Sequence, residues 1–231
     1  MELLNHHFLL LQINDSLFPI GGYSHSYGLE TYIQKGIVQD LETAEEYIRK
    51  RLSYNFLYTD LLAARLAYDA AERGDLPALD ELEDILEASR IPLERREASK
   101  KLGSRFIKTL AHMGAGRETA FFDSYLEARK GKTTCHPCAY GVFCACAGIR
   151  REEALAGFLY AQASAMVTNC VKTIPLSQSD GQKLLLSLHP RMEELVREAE
   201  TAGEEMLCAS TPGFDLRGIQ HETLYSRLYM S

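Results

Sequence analysis

The chain has 231 residues, of which 46% are hydrophobic and 25% charged. That balance excludes an intrinsically disordered chain and gives ample apolar surface for a packed core. The formal net charge of -7 argues against a duplex nucleic-acid binder, which needs a concentrated basic face to neutralise phosphates.

The opening "MELLNHHFLLLQIND" reads as a helix over 3–13. It has an acid at position 2 and neither a basic n-region nor a cleavage pattern, so it does not resemble a secretory signal. No stretch approaches the ~18 apolar residues that cross a bilayer. The expectation is a cytoplasmic protein, with no membrane contact, whose six cysteines stay reduced. Next comes "FPIGGYSHSYGLE" (18–30), with a turn after Pro19 made by Gly21 and Gly22, and a helix over 25–35 capped by Ser24. Gly28 would let another segment approach closely.

The run "DLETAEEYIRKRLSYNFLYTDLLAARLAYDAAERG" predicts one long helix. Its apolar stripe is Ile48, Leu52, Phe56, Ala63 and Ala67, its start signals are Asp40 and the Thr43/Glu46 box, and Gly74 is the stop. The basic runs "IRKRL" (48–52) and "REASKKLGSR" (96–105) sit beside acidic residues and read as solvated faces. Further helices are expected over 76–89, 93–113, 118–129, 137–148, 151–172, 179–188 and 191–208. Alternating β-branched runs are missing, as are repeats and any linker before residue 209. The fold class is therefore all-α: a single irregular bundle of about ten helices, one domain over 1–231. In "ASTPGFDLRGIQHETLYSRLYMS" Pro212 and Gly213 break the last helix, and the remainder has little apolar surface with which to fix itself. Residues 210–231 read as a tail, mobile or loosely packed alone, that docks on a partner.

Three chemistries can be weighed for the glycine-rich segment and the cysteine cluster. A phosphate cradle fails because no G-x-x-x-x-G-K-[ST] pattern is present. A hydrolase built on Ser24 or Ser26 with His25 conflicts with geometry, since neighbours on a helix point about 100° apart. A zinc site in "TTCHPCAYGVFCACAGI" (133–149) conflicts with Cys144 and Cys146 lying two apart on a helix, where they face away from each other. Buried packing is the simpler use of these cysteines. Cys135, His136 and Cys138 at a helix start leave a transient soft-metal site open, and His25 is a further candidate ligand; a direct nickel carrier is the corresponding alternative function.

Five stretches together resemble the UreF family of urease accessory proteins: "DSLFPIGGYSHSYGLE" (15–30), "LERREASKKLGSRF" (93–106), "HPCAYGVFCACAGI" (136–149), "YAQASAMVTNCVKTIPLSQSDGQKLL" (160–185) and "GFDLRGIQHETLYSRLYMS" (213–231). The resemblance implies an all-helical, non-enzymatic scaffold that forms a homodimer. It implies a place between a UreD-type (also UreH-type) protein and the GTPase UreG, presenting both to apo-urease, with no cofactor of its own and nickel handled transiently by the complex. Carried onto this chain, the partner-binding residues are Pro19, Gly21, Ser24, His25, Ser26, Gly28 and Glu30 in the first motif. Lys172, Pro175 and Gln178 follow in the fourth, and His221, Glu222, Tyr225, Arg227 and Leu228 in the last. Lys172 stands where the family commonly has Arg, Ser177 where it has Gly and Ile219 where it has Met. Lys172 keeps the charge and loses the planar fork.

Overall fold

The computed structural model describes residues 2–115, 119–209 and 211–231; position 118, the expected start of one helix, and position 210, the first of the tail, lie outside them. Among the described residues there is no strand. The helices are α1 (Glu2–Asn14), α2 (Leu29–Gln34), α3 (Leu41–Lys50), α4 (Leu62–Arg73), α5 (Leu76–Ser89) and α6 (Leu93–Met113). They continue with α7 (Ala120–Ala128), α8 (His136–Cys146), α9 (Arg151–Thr173), α10 (Gln178–Thr201) and α11 (Pro212–His221).

Helix α8 is the centre of the bundle. Apolar on every side, it is buried on every side: Cys138, Val142, Phe143 and Cys144 have no exposed surface. It crosses α4 so closely that a Cβ on Gly141 would collide with the Ala64 carbonyl oxygen, which is why α4 presents Ala63, Ala64 and Ala67 there. Around this crossing the rings of Phe106, His136, Tyr140 and Phe158 pack, with Tyr140 and Phe158 centroids 4.7 Å apart. Cys135, Cys138, Cys144 and Cys170 fill small spaces in the same interior.

Four expectations are corrected. The rod from α3 to α4 is continuous, but residues Arg51–Leu61 form a π-helix, with the Leu62 N–H reaching back five residues to the Leu57 carbonyl. The start signal is a box between Asp40 and Thr43, whose side chains bond each other's backbone N–H, rather than between Thr43 and Glu46. Helix α10 runs unbroken through Pro190, where two helices were expected. Pro190 is exposed beside exposed Leu186, so water can solvate the carbonyl that loses its donor. Meanwhile Leu188, Met192 and Leu195 keep the buried stripe going on the other side. Helix α9 has an 18-residue window of mean hydropathy 1.2, enough by length and composition to span a bilayer. Half of that window is buried within the bundle, as befits a core helix.

The tail is the fourth correction. Instead of lying loose, residues 212–221 form α11, which packs on α2 and α6, and Tyr229 and Ser231 are buried. The surface it needs is on its own chain, and much of that surface is polar.

Candidate functional site

The glycine-rich segment and the C-terminal tail hold each other. Gly28, at φ 88°, starts α2 from a left-handed conformation, and a Cβ there would come within 3.2 Å of the Gly218 backbone nitrogen. The close approach expected of this glycine is real, and the approaching segment is α11. Just before it, Tyr27 also has positive φ (55°), so successive N–H groups point the same way and form a concave donor site. Ser26 and Tyr27 N–H donate to the Ser231 carbonyl oxygen at 2.6 and 2.8 Å, and Ser26 Oγ donates to it at 2.8 Å. Met230 N–H donates to the Ser24 carbonyl at 2.9 Å.

Glu30 is the anchor on the other side of this turn. Its buried carboxylate accepts from Leu228 N–H at 2.6 Å and Tyr229 N–H at 2.9 Å, and lies 3.0 Å from His221 Nε2. His221, fully buried, reaches Glu94 through Nδ1 at 2.7 Å. Glu94 also pairs with Arg227. Glu222 accepts from Leu93 N–H at 2.8 Å, giving α6 the carboxylate cap that Pro92, its own N-cap residue, cannot supply. Charge-assisted bonds of this kind are each worth about 1.5–3 kcal/mol when shielded from water.

The remaining members of the first motif are placed differently. Ser24 Oγ donates to the Gly21 carbonyl at 2.8 Å and caps no helix, because α2 begins five residues later, at Leu29. His25 Nδ1 is 2.9 Å from Ser231 Oγ. Burial, Lys101 and Arg105 push its imidazole down to about 4, so it is neutral near pH 7. Neither Ser24 nor Ser26 pairs with His25, and the hydrolase alternative loses its geometry. Pro19 is exposed and Gly21 buried at the approach turn. Lys172 lines a surface groove together with Gly22 and Asn169, while exposed Pro175 and Gln178 sit at the α9–α10 turn, outside the clasp.

The soft-metal candidates are likewise not brought together. His25 belongs to the clasp, whereas Cys135 and His136 begin α8 in the interior. Burial raises the Cys135 thiol to about 12, with the Glu83 carboxylate adding to it. Burial lowers His136 to about 4. Among the described residues, no group of three or more His, Cys, Asp and Glu side chains converges on a common point.

Sequence reading missed Arg51, Glu94 and Asn169. The charge pattern places Arg51 on a solvated face, yet it is only 4% exposed. A cation three residues after Ile48 and four before Asn55, on the buried side of the rod, was the available signal. Asn169 Nδ2 donates to the His25 carbonyl at 3.0 Å, bracing the turn from behind.

Comparison with known proteins bears directly on what this clasp belongs to. The family model described as UreF matches residues 38–189. The urease accessory protein UreF of Haemophilus influenzae (strain PittGG) is 38% identical over 225 residues, covering 96% of this chain and 94% of the relative. This chain belongs to the UreF family. Two further relatives of the same name, from Actinobacillus pleuropneumoniae serotype 5b (strain L20) and Bacillus sp. (strain TB-90), are each 36% identical. They cover 96% and 99% of this chain, and 97% and 100% of their own lengths. The family-model match stops short of both halves of the clasp, whereas the full-length relatives extend over nearly the whole of this UreF-family chain.

Proposed function

We propose that this UreF-family chain is a non-enzymatic scaffold of urease maturation in the cytoplasm. It pairs with a second copy of itself and bridges a UreD-type protein and the GTPase UreG, so that nickel passes to apo-urease within the assembly. One observation carries the reading: the clasp buries the polar side of the tail and turns its apolar side outward. Leu216, Ile219, Tyr225, Leu228 and Met230 are all exposed, Tyr225 completely. A row of large apolar side chains held on an ordered segment is a surface for another protein, and aromatic anchors of this kind supply most of the affinity at protein interfaces.

Co-purification with the UreD-type and UreG partners tests this. Tyr225→Asp with Leu228→Asp should abolish capture of the UreD-type protein. The melting temperature should hardly change, because exposed substitutions shift stability by no more than about 0.5 kcal/mol. Full retention of the complex by a folded double variant would refute the assignment of this surface.

A further inference from the structure

Guanidinium groups are seldom buried, because each takes a full positive charge out of water. Three of them, Arg51, Arg90 and Arg95, are more than nine-tenths buried and line one interior chamber of about 20 Å³, walled by Phe56, Leu102 and Phe158. The π-helix explains how the chamber acquires its polar lining. Its wider turn, closed by i→i+5 bonds, brings positions 51 and 60 onto one face, whereas the tighter α-spiral would send position 60 to the opposite side.

The charges do not balance. Asp60 Oδ1 pairs with Arg90 at 2.8 Å and Asp215 Oδ1 with Arg95 at 2.9 Å. Among the described residues, no carboxylate comes within ion-pair distance of Arg51. It donates to the Tyr27 carbonyl at 3.3 Å and has the Tyr27 and Phe214 rings 5.7 and 5.5 Å from its guanidinium carbon. Two other titratable groups line the chamber and are neutral near pH 7: His136, lowered by burial, and Tyr27, which burial raises to about 12. Three cations thus face two anions. Donors are in surplus too: Nε of Arg51, Arg90 and Arg95 has no partner within the protein. Arg95 registers the imbalance, its pKa brought down to about 10 by burial and by the Arg51 and Arg90 charges.

We propose that this chamber binds one monovalent anion of about the size of a water molecule, chloride in ordinary solution, held by Arg51, Arg90, Arg95 and Ser99. The volume admits about one water-sized particle, which leaves out phosphate and sulfate. One negative charge closes the deficit. The chamber adjoins a surface groove of about 300 Å³ that shares His136, Phe158 and Gln162 with it and carries Lys172 on its wall. The site is independent of the docking reading and stands or falls without it.

Bromide is the probe. Crystals of the full chain grown in gluconate and transferred to bromide should give an anomalous peak between Arg51 and Arg95. In solution, exchange of gluconate for bromide at constant ionic strength should raise the melting temperature saturably, against the general destabilising tendency of that ion. Arg51→Gln should weaken the apparent bromide affinity by about tenfold or more. Asp215→Asn, which removes a neighbouring negative charge, should tighten it. Opposite signs from two neutralising substitutions separate charge from packing. A chamber without an anomalous peak overturns the proposal, as does a bromide effect that is non-saturable and identical in all three proteins, the mark of an adventitious ion only. Should Arg51→Gln fail to fold, the wild-type map and the Asp215→Asn titration still decide.

Discussion

Removing the Glu30 carboxylate should unlatch the tail. Glu30→Ala deletes the acceptor for Leu228 and Tyr229 N–H and the partner of His221 Nε2, leaving donors in a site where the native carboxylate is only 8% exposed. Single charge-assisted bonds contribute about 1.5–3 kcal/mol, but these three anchor one segment and will not add fully. Each buried donor left without an acceptor costs about 1–3 kcal/mol, which for the three together sets a lower bound of about 3 kcal/mol. At 1.4 kcal/mol per tenfold, that is roughly a hundredfold or more in the opening equilibrium. Amide exchange reads it directly: Ser26, Tyr27, Leu228 and Tyr229 should exchange faster by that factor, while amides of α8 keep wild-type rates. Glu30→Gln, which retains one carbonyl oxygen, should fall between. Unchanged protection of Leu228 and Tyr229 in Glu30→Ala would refute the latch. Acceleration of α8 by the same factor would show that clasp and core open as one unit.

Three other outcomes are expected. Gly28→Val should cost about 1–3 kcal/mol for a β-branched residue at positive φ, plus the collision with the Gly218 backbone; chemical denaturation and proteolysis at the tail should both register it, and undiminished tail protection would count against the packing described. His136, held near 4 against 6.5 when unfolded, favours the folded state fully above pH 6.5 and loses that contribution as pH falls through 4. The loss is about 3 kcal/mol at about 1.4 kcal/mol per unit, and urea midpoints across that window should slope less in a folded His136→Gln. Equilibrium dialysis with Ni(II) at pH 7 should find no tight stoichiometric site that depends on Cys135 or His136, since the thiol is held protonated and guanidinium groups stand close by; uptake abolished by Cys135→Ala would reverse this.

Where chain punctuation decides an element, the sequence predicts it to the residue. Helices α5 and α6 have the expected bounds because Asp75 caps the first through Ala78 N–H, Pro77 sits in its first turn, and Gly114 ends the second in a left-handed turn. Where tertiary burial decides, periodicity misleads. Pro190 stays inside α10 because its neighbours on the buried stripe outweigh one missing bond. The π-helix has no composition of its own. Both halves of the clasp were legible as functional segments, but their union was not: Glu30 and His221 are 191 residues apart, and nothing in either segment announces the other. The polar groups of the tail read as fixing its register on a partner, whereas Glu30, Glu94, His221 and Glu222 fasten it to its own chain.

Helix α11 stands between two environments. One side backs the guanidinium cluster from outside the chamber, with Asp215 pairing Arg95, Thr211 accepting from Asn55 at 2.6 Å and Phe214 against Arg51. Another side meets α2 through Gly218 and His221, and Leu216 and Ile219 look outward. Ten residues make a helix that is marginal alone, so its order is supplied by both neighbours. With the tail seated, two carboxylates face the three guanidiniums; with it detached, only Asp60 remains. A partner that covers Leu216 and Ile219 and a charge that enters behind Asp215 therefore act on the same element, and any coupling between them must be reciprocal. Partner affinity should then shift when gluconate is exchanged for bromide at constant ionic strength, and that shift should shrink in Arg51→Gln.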